Sequence, residues 1–132
     1  MDFCGSNSPL FYYTNNQNVK VVRASVSSKI IVKDLEKYNI VPNKSLIYNI
    51  PEEIIPSQFL SHFLRGLFDG DGTCSITKKA QPVFRFCSRN QTCCEQFSRL
   101  MGVNKKPTFS GNVWHFTVEG INKAVPLFDY LY

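Results

Sequence analysis

The chain has 132 residues, of which 43% are hydrophobic and 14% aromatic, enough for one packed domain of ordinary size. No run approaches the roughly 18 consecutive apolar residues of a membrane span, so we expect no association with a membrane. Five cysteines without a C-x-x-C pair, and only two histidines, argue against a zinc site. The odd cysteine count and the lack of a secretory leader predict reduced thiols, most of them buried. The protein is therefore expected to be intracellular, in the cytoplasm or an organelle matrix, and not secreted.

The net charge of +5 and the isoelectric point of about 9.0 have a local origin. Between Thr73 and Ser110, several basic side chains are opposed by a single acid, Glu95. A basic surface of this kind favours a polyanionic partner, and a solvated basic face without a partner is the alternative. The basic residues are Lys78, Lys79, Arg85, Arg89, Arg99, Lys105 and Lys106.

The first part of the chain predicts a β-hairpin followed by a helix. Residues 9–14 and 19–26 each read as a strand, with an asparagine-rich turn between them, and the residues before them read as a loose start. Ser27 or Ser28 can cap a helix that runs to about Tyr38. Alternation in the second strand predicts Val22, Ala24 and Val26 facing inward, and Val21, Arg23 and Ser25 facing outward.

The most informative stretch is residues 63–72, FLRGLFDGDG, at the end of an apolar helical segment that begins near Ser57. Gly66 and Gly70 lie four apart on one face, which lets a second helix approach closely. The helix is predicted to stop at Gly70. Asp71 then lies just past its partially negative end, where a cation is needed to balance the charge. A narrow polar stripe interrupts the apolar surface, formed by Gln58, His62, Arg65 and Asp69.

The rest of the chain predicts two hairpins and two helices. The strands are predicted at residues 73–79, 82–88, 107–110 and 113–118, and the helices from Gln91 to Met101 and from Asn122 to the end. Alternation predicts an inward face of Cys74, Ile76, Phe84 and Phe86, with Trp114, Phe116 and Val118 also sharing a face. The outward face is predicted to carry Thr73, Ser75, Thr77, Lys79, Val83, Arg85 and Cys87. The last helix is predicted to bury Val125, Leu127, Phe128 and Leu131.

An internal repeat relates residues 18–38 to residues 112–132, each a turn, an alternating strand and a helix. A hairpin partner strand precedes the repeat both times. The second unit reads helix, two strands, helix, two strands, helix, whereas the first contains only the last two strands and the helix. We therefore predict a partial first repeat and linker at residues 1–50 and a complete unit at residues 51–132.

Residues 64–72, LRGLFDGDG, match in register the signature of the LAGLIDADG homing endonucleases, and the chain resembles that family. The departures are Arg65, Phe68 and Gly70, the last a common variant. The family's half-domain has the order αββαββα, so the resemblance implies an α+β fold with a curved antiparallel sheet, preceded by a partial ββα repeat. Residues 34–45 are similar to the linker of two-motif members. The alternative is a buried helix that ends in a glycine cap, with two acids by chance.

The resemblance implies metal-dependent hydrolysis of phosphodiester bonds in double-stranded DNA at a specific site. The family's metal ligand falls on Asp71, with the carbonyl of Gly70 as a further ligand and Mg²⁺ or another divalent cation as cofactor. A basic residue that follows each half-domain in the family falls on Lys44, so the resemblance implies that Asp71 and Lys44 are the catalytic residues. Two signature helices pack side by side in the family, which implies a homodimer or a complementary polypeptide bound to the 57–70 helix. The pairing face falls on Phe63, Gly66, Leu67 and Gly70.

The curved sheet of the family lies in the DNA major groove, which implies base contacts from the outward residues. We predict such contacts for Thr73, Ser75, Thr77, Lys79 and Arg85, with Arg23 and Ser25 on the first unit's strand. Phosphate contacts are predicted for Lys78, Arg89, Lys105 and Lys106. For each residue alone, an exposed strand side chain without a ligand is the alternative. His62 and His115 are assigned no chemistry.

One signature motif gives one Asp71 per chain, so a complete nuclease site needs a second copy or a partner chain. Three alternatives stay open. The first is a non-cleaving nucleic-acid-binding protein on the same scaffold, either a maturase or splicing cofactor that binds intron RNA or a DNA-binding regulator. The second is an inactive fragment, and the third is an interaction domain without nucleic acid. The residues give no target sequence and do not separate an intron, intein or free-standing origin.

Overall fold

The computed structural model describes residues 9–132, so the predicted loose start and Cys4 lie outside the described residues. The chain divides into two compact units between Asp34 and Leu35. Residues 35–50, which we predicted with the first repeat, belong to the larger unit. Two of their side chains, Tyr48 and Ile50, are buried in its core.

The smaller unit is a two-stranded antiparallel sheet, and a helix follows it in the chain. Strand β1 spans Phe11–Thr14 and pairs with β2, Lys20–Arg23. Helix α1 spans Lys29–Glu36, and the Ser28 hydroxyl oxygen accepts the backbone N–H of Ile31 at 3.3 Å. The hairpin, the helix and the serine cap are as predicted, but the predicted second strand, residues 19–26, is too long. Strand β2 ends at Arg23, so Ala24, Ser25 and Val26 lie beyond it.

The predicted inward face of this hairpin is not buried. The apolar residues assigned to it, Val22, Ala24 and Val26, are all exposed, and no residue of α1 is buried. Alternation identifies two faces of a strand, but burial requires a second layer on one of them. Within the described part of the smaller unit, no further helix or strand supplies that layer.

The larger unit has the order helix, strand, strand, helix, strand, strand, helix after three short 3-10 helices. The 3-10 helices are Lys44–Leu46, Glu52–Ile54 and Ser57–Phe59. The main elements are α2 Leu60–Asp71, β3 Gly72–Ile76, β4 Pro82–Ser88, α3 Gln91–Leu100, β5 Thr108–Ser110, β6 Val113–Glu119 and α4 Ile121–Leu131. The strands form one antiparallel sheet in the order β3-β4-β6-β5. The protein is therefore of the mixed α+β class, as predicted.

The core lies between one face of this sheet and helices α2, α3 and α4. Phe84 and Phe86 of β4 are buried, as alternation predicted, and Phe86 stacks on Phe97 of α3 with ring centroids 3.8 Å apart. Phe68 of α2 stacks on Phe84 with centroids 4.3 Å apart. Burial of each such ring contributes about 1.5–3 kcal/mol. The stack of Phe68 on the sheet fixes the C-terminal half of α2, where the signature residues lie.

Strand β3 is shorter than predicted. It ends at Ile76 because residues 77–81 form a turn, in which the Thr77 N–H donates to the Gln81 carbonyl at 2.8 Å. The predicted strand residues Thr77 and Lys79 therefore lie in this turn, beyond the sheet.

The burial predicted for β3 is also wrong. Cys74 pairs with Phe84 and shares its face, but Cys74 is exposed, and Ile76 is 74% exposed. The reason is that β3 is an edge strand, and the helices cover the central strands more completely than this edge. Of the four described cysteines, Cys93 and Cys94 are buried and Cys87 is half-buried, so the prediction that most cysteines are buried holds for only two of them.

The two halves of the internal repeat share the local geometry of their turns. Asn18 and Asn112 both adopt left-handed backbone conformations, with φ of 62° and 68°. Each precedes the second strand of a hairpin, and a helix follows in both cases. Asparagine tolerates this conformation better than most residues, which explains its place in both turns.

Within residues 9–132, no helix is both long and apolar enough to cross a membrane.

Candidate functional site

Asp71 is the last residue of α2, whereas we predicted that it follows the helix. Its side chain is exposed where the unpaired carbonyls of the helix end concentrate partial negative charge. Gly72 follows in an extended conformation, so it is not a left-handed cap. A Cβ at Gly72 would lie 2.3 Å from Cδ2 of Phe68. Glycine is therefore required because Phe68 packs beneath the helix end that presents Asp71.

Asp71 lines a cleft of about 190 Å³ in the larger unit. Lys44, which the resemblance pairs functionally with Asp71, lines the same cleft from the first 3-10 helix. Arg89, a predicted phosphate contact, also lines it. Two cations and one carboxylate in a confined space favour an anionic ligand. The other lining residues are Ser45, Tyr48, Leu67, Phe86, Cys87, Ser88, Cys93 and Val113.

Tyr48 supports Lys44 in this cleft, and the sequence did not indicate it. The Lys44 ammonium nitrogen lies 4.8 Å from the centroid of the Tyr48 ring, a distance at which cation–π attraction operates. The Tyr48 hydroxyl oxygen is buried and has no hydrogen-bond partner. Burial, followed by the nearby Cys93, raises the pKa of Tyr48 to about 12, so the hydroxyl is neutral at physiological pH. The only sequence signal is the spacing of four residues between the two side chains.

Cys87 contacts the backbone that carries Asp71. Its thiol donates a hydrogen bond to the Asp71 carbonyl at 3.1 Å, which satisfies one of the carbonyls at the end of α2. Burial and the Asp71 charge raise the pKa of Cys87, against a smaller opposing effect of Arg85. The thiol therefore keeps the proton that it donates. We predicted Cys87 on the outward face of β4, but alternation could not reveal this contact.

The metal site that the resemblance implies is not formed by the described residues of one chain. Among residues 9–132, no three side chains of His, Cys, Asp or Glu come together in a way that could hold a metal ion. Magnesium takes about six oxygen ligands. The Asp71 carboxylate and the Gly70 carbonyl are oxygen groups of the kind that Mg²⁺ prefers, but together they supply at most about three such ligands. A cation held here would need its remaining ligands from a second chain, from substrate or from water.

Helix α2 has an open face beside Asp71. A Cβ added at Gly66 or Gly70 would meet no atom within 4 Å, and both residues are exposed. The other two predicted pairing residues, Phe63 and Leu67, are half-buried and pack against the core of their own chain. The glycine pair therefore leaves space in which another backbone could approach this helix closely.

Two residues of the polar stripe of α2, Arg65 and Asp69, contact Tyr132. The Tyr132 hydroxyl donates to a carboxylate oxygen of Asp69, and the Arg65 guanidinium lies 5.9 Å from the centroid of the Tyr132 ring. The hydrogen bond to Asp69 raises the pKa of Tyr132. Asp69 and Asp71 thus differ in role, since Asp69 accepts a hydrogen bond from Tyr132 and Asp71 lines the cleft.

The outer face of the four-stranded sheet, opposite the core, carries polar side chains in rows across the strands. Thr73, Arg85 and Thr117 form one row, and Arg85 Nε donates to the Thr117 hydroxyl at 3.0 Å. This bond orients an exposed guanidinium along the sheet. The next row contains Cys87, His115 and Thr108.

The remaining predicted DNA contacts are dispersed. Lys78 and Lys79 are exposed in the turn after β3, and Ser75 is exposed on that strand. Lys105 donates to the Thr117 carbonyl at 2.7 Å, so its ammonium group binds the chain's own backbone. In the smaller unit, Arg23 is exposed and Ser25 is half-buried, and both line a concavity of the hairpin.

No protein-family model, curated protein or solved structure matches this chain. The family assignment therefore stays a prediction that depends on the motif at residues 64–72. The function has to be argued from the geometry of α2, the cleft and the outer sheet face.

Proposed function

We propose that this protein is a site-specific endonuclease for double-stranded DNA, of the LAGLIDADG type, that acts as a homodimer. The observation that carries this proposal is the position of Asp71. It is exposed at the end of α2, it lines a cleft with Lys44, and it follows the open glycine face directly. A second α2 packed on that face places a second Asp71 nearby, and a divalent cation relieves the repulsion between the two carboxylates.

The fold of the larger unit supports this proposal at the level of element order. Its αββαββα order and its single antiparallel sheet agree with what the resemblance implies. We further propose that this unit has the LAGLIDADG half-domain fold and that its sheet is curved. In that fold, the outer sheet face is the DNA-binding surface.

The chain's own groups have distinct roles in the proposed reaction. Asp71 and the Gly70 carbonyl would hold a divalent cation, which would supply Lewis-acid polarisation of the phosphate and a more acidic water molecule. Lys44 and Arg89, which line the same cleft, attract the phosphodiester and offset the negative charge that develops on it. Tyr48 limits the positions that the Lys44 ammonium adopts, through its ring.

The outer sheet face supplies the proposed sequence recognition. The Arg85 guanidinium has the fork geometry that pairs with guanine, and its bond to Thr117 fixes its direction. Thr73 and Ser75 offer hydroxyl groups to base edges from the adjacent strand. Lys78 and Lys79, in the turn, are positioned to contact phosphates, which set the register of the protein on the duplex.

The test is a cleavage assay with Mg²⁺ on a library of near-palindromic duplexes. We expect the wild-type protein to cut both strands, and Asp71→Asn to lose more than about 100-fold in rate because several kcal/mol of charge stabilisation disappear. Asp69→Asn is the matched control, since it lies two residues away on the same helix and binds Tyr132 instead of the cleft. Equal cleavage by wild type and Asp71→Asn would overturn the assignment.

A non-cleaving nucleic-acid-binding protein on the same scaffold is the second candidate, with intron RNA or regulatory DNA as its ligand. The observation in its favour is that, within residues 9–132, the cleft is lined by one carboxylate, that of Asp71. The same experiment separates the two functions. Salt-dependent binding without cleavage, in both wild type and Asp71→Asn, identifies the binding protein.

A further inference from the structure

The hairpin of the smaller unit has an aromatic face that the proposed nuclease does not use. Directly opposed residues of an antiparallel pair share a face, so the pairing of Phe11 with Arg23 puts these two side chains on one side. Tyr13, two residues after Phe11, lies on the same side opposite Val21. The two aromatic side chains are therefore neighbours on a face that also carries a guanidinium.

This face is open and concave. Phe11 is 52% exposed and Tyr13 is 50% exposed, although both rings are large and apolar. With Arg23 and Ser25 they line a concavity of about 540 Å³, which Tyr12 also borders. Concavities of this size accommodate groups as large as a nucleobase.

The segment that carries this face has charged side chains of one sign only. From residue 9 to residue 33 the chain contains no Asp or Glu, and its charged side chains are Lys20, Arg23, Lys29 and Lys33. Exposed aromatic rings beside cations are the features by which proteins hold single-stranded nucleic acid, with bases stacked on the rings and phosphates near the cations. A duplex keeps its bases stacked on each other and leaves such rings without a partner.

We propose that the face formed by Phe11, Tyr13, Arg23 and Ser25 binds unpaired nucleotides of single-stranded DNA or RNA. One base stacks on each ring, and the Arg23 guanidinium contacts a phosphate or a base face. This site shares no residue with the cleft at Asp71 and requires neither metal nor cleavage. The proposal and the nuclease assignment therefore fail or succeed independently.

The equivalent hairpin of the larger unit provides a matched control. Phe109 of β5 is also exposed, at 58%, but its ring lies 5.1 Å from the ring of Trp114 on the adjacent strand. Phe109 thus has an aromatic partner within the chain. Phe109→Leu removes an exposed ring from a hairpin of the same type without touching the proposed site.

The experiment measures fluorescence anisotropy of a labelled oligothymidylate of about 15 nucleotides, near the upper end of what one small fold covers. We expect the full-length protein to bind it in a salt-dependent way, and the Phe11→Leu/Tyr13→Leu double variant to bind on the order of 10-fold more weakly. Phe109→Leu is expected to bind like wild type. Equal affinity of the double variant and wild type would overturn the proposal, as would an equal loss in Phe109→Leu.

A second measurement uses the unaltered protein, so that misfolding of a variant cannot decide the result. An oligonucleotide with 5-iodouracil at each position is cross-linked by light and the attached peptides are identified by mass spectrometry. We expect cross-links to Phe11 or Tyr13. Cross-links confined to residues 35–132, or no binding at low salt, would contradict the proposal and would favour a protein partner for this face.

Discussion

The two ββα segments of this chain have similar local structure but opposite burial. In the larger unit, β6 lies between β4 and β5, and its inward residues Phe116 and Val118 are 2% and 9% exposed. Among the described residues of the smaller unit, β2 pairs with β1 and no other strand, and Val22 is 58% exposed. The comparison shows that a local sequence can specify a hairpin and a helix, whereas burial depends on which other elements the chain provides.

The helices that end the two segments differ in the same way. Helix α4 buries Ala124 and Leu131 against α2 and the sheet, whereas α1 buries no residue at all. Isolated helices as short as α1 are marginal in water, because most helical stability in proteins comes from packing. We therefore expect stability to concentrate in the larger unit.

The largest effect that this comparison predicts is at Phe97. Phe97→Ala removes a fully buried ring that stacks on Phe86, and we expect the free energy of unfolding of the larger unit to fall by about 3–5 kcal/mol. Ile30→Ala, in α1, removes a side chain that is 74% exposed and is expected to change the same transition by less than about 0.5 kcal/mol. Urea denaturation followed by circular dichroism measures both. A comparable loss of free energy of unfolding in Ile30→Ala would contradict the predicted difference between the two units.

Two glycines of the signature allow a similar comparison within the larger unit, because Gly72 packs against Phe68 and Gly66 lies on an open surface. Gly72→Ala forces a Cβ to within 2.3 Å of the Phe68 ring and is expected to destabilise the fold by about 1–3 kcal/mol. Gly66→Ala meets no atom within 4 Å in the same chain, so helix propensity is expected to stabilise the monomer by about 0.5–1 kcal/mol.

The same Gly66→Ala variant is expected to dimerise more weakly, because its Cβ occupies the proposed helix-pairing face. Denaturation at low protein concentration measures the monomer, and sedimentation at several concentrations measures the dimer. Unchanged dimerisation would show that the glycine face is not the interface.

A smaller effect is predicted for the helix caps. Asn90 caps α3 by accepting the Thr92 N–H at 2.9 Å, and its amide also donates to the Tyr48 carbonyl at 3.0 Å. We expect Asn90→Ala to lower the free energy of unfolding of the larger unit by about 1–2 kcal/mol. Ser28→Ala removes the cap of α1 and is expected to reduce helical circular dichroism without shifting that unfolding transition. A shift of the transition in Ser28→Ala would show that the two units unfold together.

The smallest effect concerns Tyr48 and alkaline pH. Its pKa is raised from 10.0 to about 12 in the folded protein, so the unfolded chain loses this proton first and the free energy of unfolding falls as pH rises from about 10 towards 12, whereas below pH 10 it does not depend on this group's titration. Tyr48→Phe removes this dependence, and at pH 7 it is expected to be neutral or slightly stabilising because the buried hydroxyl has no partner. Denaturation at pH 9 and pH 11 measures the difference. An equal loss of stability in Tyr48→Phe would contradict this assignment.

Much of the larger unit could be predicted from local patterns. Strand β4 has the predicted bounds, and Phe84, Phe86 and Phe116 lie on the predicted face, because strict alternation between a covered and an uncovered face leaves a clear pattern. The predicted first residues of α1 and α3 are also close to those observed, because serine and asparagine, which precede these helices as Ser28 and Asn90, are strong capping residues. The exposure of Ile76 could not be predicted, because alternation does not show whether a strand lies at the edge of its sheet.

The candidate site was less accessible to sequence reasoning. Asp71 was identified by the motif, and Lys44 was linked to it only through the resemblance, since the two are distant in sequence. The contacts of Tyr48 with Lys44 and of Cys87 with the Asp71 carbonyl were not predicted, because they depend on the folded arrangement of the chain and not on a local sequence pattern. Such contacts depend on how the first 3-10 helix and β4 converge on the end of α2.

The central claim is that two copies of α2 pair and bring two Asp71 carboxylates together. The most direct test is the mass of the protein in solution, measured by light scattering across a range of concentrations. We predict a dimer of twice the 15.1 kDa chain, with weaker association in Gly66→Ala. A strict monomer at every concentration would contradict the claim, because one chain alone supplies only half of the proposed metal site.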